Sequence, residues 1–248
     1  MVLGLWVISI TGFTAPLSPL WKNVPGFKSV DVKGKPIATL WLKEQTAKKT
    51  GTVILLPDWG RLPTSDDVIN PLRKKLPEWG WQTIAIAPPL PQNKNSIISN
   101  SNPKAIKAYQ QKLIGALQTI NQSQNEVFGY QVVIAQGVMA AWMIRIYQQQ
   151  LLPLPDALII VDSYFPNMET NQKIAGDLAK LTCPVYDIYF RDANRWALAD
   201  VKARRIAMVR AQKIDYRQSE IQSDPFLSNS GLLLAKRVYG WFNSLGWY

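Results

Sequence analysis

Two patterns of apolar residues alternate along most of this chain. Short unbroken runs rich in Val, Ile and Leu are followed by longer stretches in which apolar residues recur every three or four positions. The run Thr52-Val53-Ile54-Leu55-Leu56 predicts a strand buried on both faces, closed by the loop Pro57-Asp58-Trp59-Gly60. A helix is expected from about Asp66 to Leu76, on the spacing of Val68, Ile69, Leu72 and Leu76. Trp81 to Ala87 is the next strand, stopped by Pro88-Pro89. Gln92 to Asn102, rich in Asn and Ser, reads as a loop. Pro103 then opens a helix to about Asn121, with Ile106, Leu113, Leu117 and Ile120 as its core stripe. The strand Gln131 to Ala135 passes through Gln136-Gly137 into a helix, Val138 to Gln150. The strand Ala157 to Val161, the loop Asp162 to Pro166 and a helix from about Asn171 to Leu181 follow. Pro184 to Phe190 is a strand, Arg191 to Asn194 its loop, and Arg195 to Gln212 a helix. Lys213 to Ile221 reads as a polar edge strand, and a last helix runs from about Ser230 to Phe242.

Upstream, Val30-Asp31-Val32 and Ile37 to Leu42 form a predicted hairpin turning at Lys33-Gly34-Lys35. The fold class is therefore α/β: a mostly parallel sheet with helices on both faces and an N-terminal β-hairpin. Residues 25–248 suit a single domain of this kind.

Residues 1–20 are of another character. Met1 to Phe13 are almost wholly apolar and are followed by Thr14-Ala15-Pro16. The stretch is short for a bilayer span and resembles the core of a signal peptide, although no Lys or Arg precedes it. The expectation is an exported protein, periplasmic or secreted. A buried first strand is the alternative.

Composition changes the picture in one decisive way: the chain has no histidine. A Ser-His-Asp triad needs an imidazole to take the serine proton near neutral pH, so that mechanism is excluded, as are histidine metal sites. One cysteine, Cys183, excludes an internal disulfide and a thiolate metal cluster, and is read as a buried structural thiol. No metal and no cofactor is expected. The net charge of +11 favours anionic partners, but the cations are scattered and no nucleic-acid signature accompanies them, so no nucleic-acid partner is predicted. A basic helix, Arg195 to Lys213, offers weak contact with anionic membranes. In it Leu198, Val201 and Met208 are expected to face the sheet, and Arg195, Lys202 and Arg205 to share another face.

The order of hairpin and alternating strands and helices resembles the α/β-hydrolase fold. That fold carries its nucleophile on a sharp strand-to-helix turn, G-x-S-x-G. Here the matching segment is Ala135-Gln136-Gly137-Val138-Met139. Gly137 falls on the nucleophile position and has no side chain to attack with. The oxyanion donors of such hydrolases correspond to the loop Pro57-Asp58-Trp59-Gly60-Arg61 and to the amides of Gly137 and Val138. The Asp58 carboxylate is expected to oppose an anion there. Asp192 follows the strand where the triad acid normally sits, although a capping role with Asn194 competes.

A narrower resemblance is carried by Thr52 to Gly60, Asn70 to Pro77, Gly80 to Thr83, Pro155 to Val161, Pro184 to Tyr189, Asn194 to Leu198, Asp215 to Gln218 and Val238 to Trp241. With these segments the chain is similar to an α/β-hydrolase-like proteobacterial family, domain of unknown function 3530. The resemblance implies exported proteins of hydrolase fold without an assigned activity, and often with Gly in place of the nucleophilic Ser. The expected function is a catalytically degenerate hydrolase-fold protein with no catalytic residue. Its cleft, lined by Asp58, Trp59, Gln136, Gly137, Val138 and Asp192, would bind a small molecule, a lipid or an envelope protein. An unconventional esterase with an Asp base and a membrane-surface protein with a basic face are the alternatives. The sequence leaves the oligomeric state open.

Overall fold

The computed structural model describes residues 23–91, 93–124, 129–224 and 226–247. The apolar segment 1–20 and Tyr248 lie outside the described residues. Eight strands form one sheet: β1 (Phe27–Val32), β2 (Lys35–Leu42), β3 (Gly51–Leu56), β4 (Trp81–Ile86), β5 (Tyr130–Gln136), β6 (Ala157–Val161), β7 (Val185–Phe190) and β8 (Tyr216–Ile221). Their spatial order is β1-β2-β4-β3-β5-β6-β7-β8. β1 pairs antiparallel with β2, and β2 with β4, while every other pairing is parallel. The hairpin turns tightly on Lys33 (φ 54°) and Gly34 (φ 77°), two left-handed residues whose twist matches the strands. Lys35 already belongs to β2.

The helices are α1 (Ile69–Lys75), α2 (Lys94–Ile98), α3 (Pro103–Gln122), α4 (Gly137–Gln148), α5 (Met168–Leu178), α6 (Arg195–Ala199), α7 (Val201–Arg210) and α8 (Ser228–Ser244). Side chains alternate between the sheet faces. Ile54, Leu56, Val133, Ala135, Leu158 and Ile160 pack under α3, α4 and α5. Val53, Leu55, Val132, Ile134, Ile159 and Val161 pack under α1 and α8. Trp241 and Phe242 join the second layer, and Trp247 stacks on Tyr130 at 4.1 Å beside Trp81 and Phe242.

Several boundaries differ from the expected ones for local reasons. The first helix begins at Ile69 rather than Asp66 and tightens into a 3₁₀ turn over Leu76–Trp79 around Pro77. The loop expected at 92–102 contains α2, capped by Asn93 accepting from the Ser96 amide. α5 starts early because Asn167 caps it through the Thr170 amide. The expected helix 195–212 breaks at Asp200, and β8 begins at Tyr216, not Lys213.

The basic helix is also turned differently. Met208 faces inward, but Leu198 is exposed and Arg204 is fully buried. Arg204 Nε donates to Asp187 Oδ2 at 2.8 Å and Nη2 to Oδ1 at 3.2 Å. Tyr216 and Gln218 also donate to Oδ2. A carboxylate in the middle of β7 can be buried only if it is neutralised and hydrogen-bonded, and this draws the guanidinium inward.

The strand order places a site. The connection after β3 carries α1 to one face of the sheet, and that after β5 carries α4 to the other. A crevice opens outside the carboxyl ends of two neighbouring strands where their connections diverge. Residues just after Leu56 and Gln136 are therefore brought together.

Candidate functional site

β5 turns into α4 at Gly137, whose φ of 59° lies in the left-handed region that side chains resist. This is the sharp strand-to-helix turn expected at that position. What fills it was not expected. A Cβ built on Gly137 runs into the carboxyl group of Asp58, from the loop after β3. Asp58 Oδ1 accepts from the Trp59 amide at 2.7 Å and the Val138 amide at 2.8 Å. Oδ2 accepts from the Tyr164 hydroxyl at 3.1 Å. The two amides that face a substrate oxyanion in a hydrolase thus already hold a carboxylate of the protein itself. The sequence reading had Asp58 opposing an anion in this hole, whereas here Asp58 is the anion.

Burial pushes the Asp58 carboxyl above its ordinary range, against the pull of the Val138 and Trp59 amides, Tyr164 and Arg61. Tyr164 is pushed up in turn, first by burial and then by Asp58. The Trp59 indole donates to the Tyr109 hydroxyl at 2.7 Å and meets that ring edge-on, which ties the Asp58 loop to α3.

Gln136 turns its amide away from Gly137 and donates to Asp67 Oδ2 at 3.3 Å. Arg61 reaches the same oxygen at 3.9 Å. Asp67 Oδ1 and Gln136 Oε1 are buried without a hydrogen-bond partner.

Asp162 follows β6 directly in a left-handed conformation (φ 49°) and accepts from the Phe190 amide at 2.9 Å. Burial pushes its carboxyl up to about 7, against the Phe190 amide and Arg204 and with help from Asp187 and Asp58. Sequence reasoning passed over Asp162 and Tyr164 as loop residues. The signal was their position, immediately past a fully buried parallel strand.

Asp192 stands apart. It is exposed and makes no hydrogen bond or ion pair among the described residues, while Asn194 caps α6 through the amides of Trp196 and Ala197. Of the expected site residues, Asp58, Trp59, Gly137 and Val138 converge, Gln136 serves the second ring with Asp67, and Asp192 is joined to neither. Cys183 is half-buried rather than fully buried as expected, and desolvation still raises its thiol to about 11. Among the described residues no three Asp, Glu or Cys side chains converge to hold a metal ion.

Large apolar side chains are exposed after several strands: Leu62 after β3, Leu90 after β4, and Phe226 and Leu227 after β8, with Met168 exposed at the start of α5. The Arg61 guanidinium lies over the Phe226 ring at 4.8 Å and links the loops after β3 and β8. Toward the amino ends of the central strands, a cavity of about 180 Å³ is lined by Leu117, Gln124, Val133, Tyr147 and Leu152, away from the turn.

A family described as protein of unknown function (DUF3530) matches residues 26–109 and 98–244. No curated protein matched the chain. Among solved structures, a dienelactone hydrolase from Anabaena variabilis superposes with a TM-score of 0.64 at 13% identity, over 88% of this chain and 96% of that one. Est1E from Butyrivibrio proteoclasticus gives 0.62 at 10% identity, over 88% and 99%. The mouse alpha/beta hydrolase domain-containing protein 10 gives 0.58 at 13% identity, over 88% and 99%. At these identities the likeness is one of fold: the chain has the α/β-hydrolase fold.

Proposed function

The chain belongs to that family of proteins of unknown function, and we propose that it is a catalytically silent α/β-hydrolase-fold protein that holds a ligand or partner at the former active-site crevice. The observation that carries this reading is the Asp58 carboxylate seated on the amides of Trp59 and Val138. Acyl transfer needs a nucleophile at the turn and free donors for the carbonyl oxygen as it gains charge. Gly137 supplies no nucleophile, and no histidine exists to activate one. A substrate carbonyl would have to displace a carboxylate, which is the stronger acceptor.

Binding is supported by what surrounds Asp58. Leu62 in the Asp58 loop and, across the Arg61–Phe226 contact, Phe226 and Leu227 expose apolar surface beside it. The occupant in this reading is a small molecule, a lipid or an envelope protein. The apolar sequence of Met1 to Phe13 supports export to the envelope or beyond.

The test is hydrolysis of short and long acyl p-nitrophenyl esters by the purified protein beside Asp58→Asn and Asp192→Asn. No turnover above the buffer rate is expected in any sample. Turnover that falls in either variant would overturn the reading and name the base.

A second reading, a carboxyl-based hydrolase with water as nucleophile, draws on Asp162, whose carboxyl exchanges its proton at about 7. Its mark would be ester turnover that changes with pH near that value and disappears in Asp162→Asn.

A further inference from the structure

α7 is built inside out. Its inward face carries Met208 and the cation Arg204, both buried, while two aliphatic side chains, Ile206 and Val209, point to solvent. Val209 is 68% exposed, and Ile214, just beyond the helix, is 95% exposed. Burial of this much aliphatic surface is favourable, so a helix that commits Arg204 inward and leaves these outward needs a reason beyond its own packing.

The cations sit on the same outer face. From Val201 to Ile214 the chain has five cations, Lys202, Arg204, Arg205, Arg210 and Lys213, and no acid. Arg204 is consumed by Asp187, which leaves four. Lys202, Arg205 and Arg210 line a shallow groove together with Ile206 and Val209. Asp215 is the next acid in the chain. On the neighbouring α5, Glu169 is paired with Lys173, and Asp177 with Lys180, so α5 does not neutralise this face.

We propose that the outer face of α7 and the turn to Ile214 are a docking surface for an anionic lipid bilayer. Aliphatic tips with cations on either side match the boundary between headgroups and acyl chains. Ile206, Val209 and Ile214 enter that boundary, and Lys202, Arg205 and Arg210 meet the phosphates. Nucleic acid fits less well, since the stretch contains no aromatic side chain on which a base could stack. The net charge of +11 adds long-range attraction to the same surface. The inference is independent of what occupies the Asp58 crevice.

The experiment is co-sedimentation of the full-length chain with vesicles of phosphatidylcholine alone and of phosphatidylcholine with an equal part of phosphatidylglycerol. Wild type, Lys202→Glu/Arg205→Glu/Arg210→Glu and Val209→Ser/Ile214→Ser are compared. All five positions are solvent-facing, so thermal melting should not change. Any contribution of the apolar first residues is common to the three proteins and cancels. Wild type is expected to bind the anionic vesicles and to be released by high salt. The charge variant is expected to bind about a hundredfold more weakly, and the serine variant several-fold more weakly. Equal binding of all three proteins would overturn the proposal, as would no preference for the anionic vesicles. So would wild type displaced from vesicles by duplex DNA while the serine variant still binds the vesicles like wild type.

Discussion

Asp58 occupies the volume that any side chain on Gly137 would need, and its carboxylate accepts from the amide that follows Gly137. Glycine at the turn and an acid in the β3 loop are therefore one structural solution. Either a nucleophile stands at the turn over two free amides, or the amides hold an internal anion over a bare glycine.

Gly137→Ser should destabilise the protein by roughly 1–3 kcal/mol, because it adds a Cβ at positive φ and drives it into Asp58. If the collision is the larger part, Asp58→Ala in the same chain relieves it. The double variant then loses less than the sum of the singles in urea denaturation. Strict additivity would show that the two residues do not compete for space.

Asp58→Ala alone leaves the Trp59 and Val138 amides without their acceptor and should cost about 1–3 kcal/mol. Asp58→Asn keeps an acceptor oxygen and removes a charge that burial disfavours, so it should cost less. Denaturation midpoints with unchanged slopes check the ranking. An Asn variant as unstable as the Ala variant would mean that the charge itself holds the two amides.

Asp162 sets a pH dependence of definite sign. Its carboxyl is raised from 3.8 unfolded to about 7 folded, so between those values the folded state holds the extra proton. Stability from this group is full below about 4 and is lost as pH rises through about 7. Asp58 and Asp200, also raised by burial, act in the same direction. Asp162→Asn keeps an acceptor for the Phe190 amide and should flatten the decline in melting temperature across that window. An unchanged slope would count against a protonated Asp162.

Arg204→Met strands the Asp187 carboxylate in the sheet and should cost about 3–5 kcal/mol. Adding Asp187→Leu should recover only part of the loss, because the uncompensated charge is gone but Tyr216 now loses its acceptor and Gln218 keeps only the Val201 carbonyl. A double variant no better than the single would show that the hydrogen-bond network, and not the charge, sets the cost.

Much of this protein was written locally. Runs such as Thr52 to Leu56 and Ala157 to Val161 declare doubly buried strands, because a side chain buried on either face must be apolar. Gly137 at the strand-to-helix turn and the missing histidine by themselves exclude a Ser-His-Asp mechanism. The tertiary structure decided what stands in its place. Asp58 and Val138 are 80 positions apart in the chain and meet only because β3 and β5 are neighbours in the sheet. Periodicity reports which residues prefer water, so it put Leu198 toward the sheet and gave no sign that Arg204 is buried, which follows from the buried Asp187 on β7. It likewise could not assign Trp247 to the core, because its partners Tyr130 and Trp81 lie on strands far away in sequence. Apolar pattern is a property of each segment. Pairing of charges, amides and rings depends on which segments the sheet order brings together, and that order is a property of the whole chain.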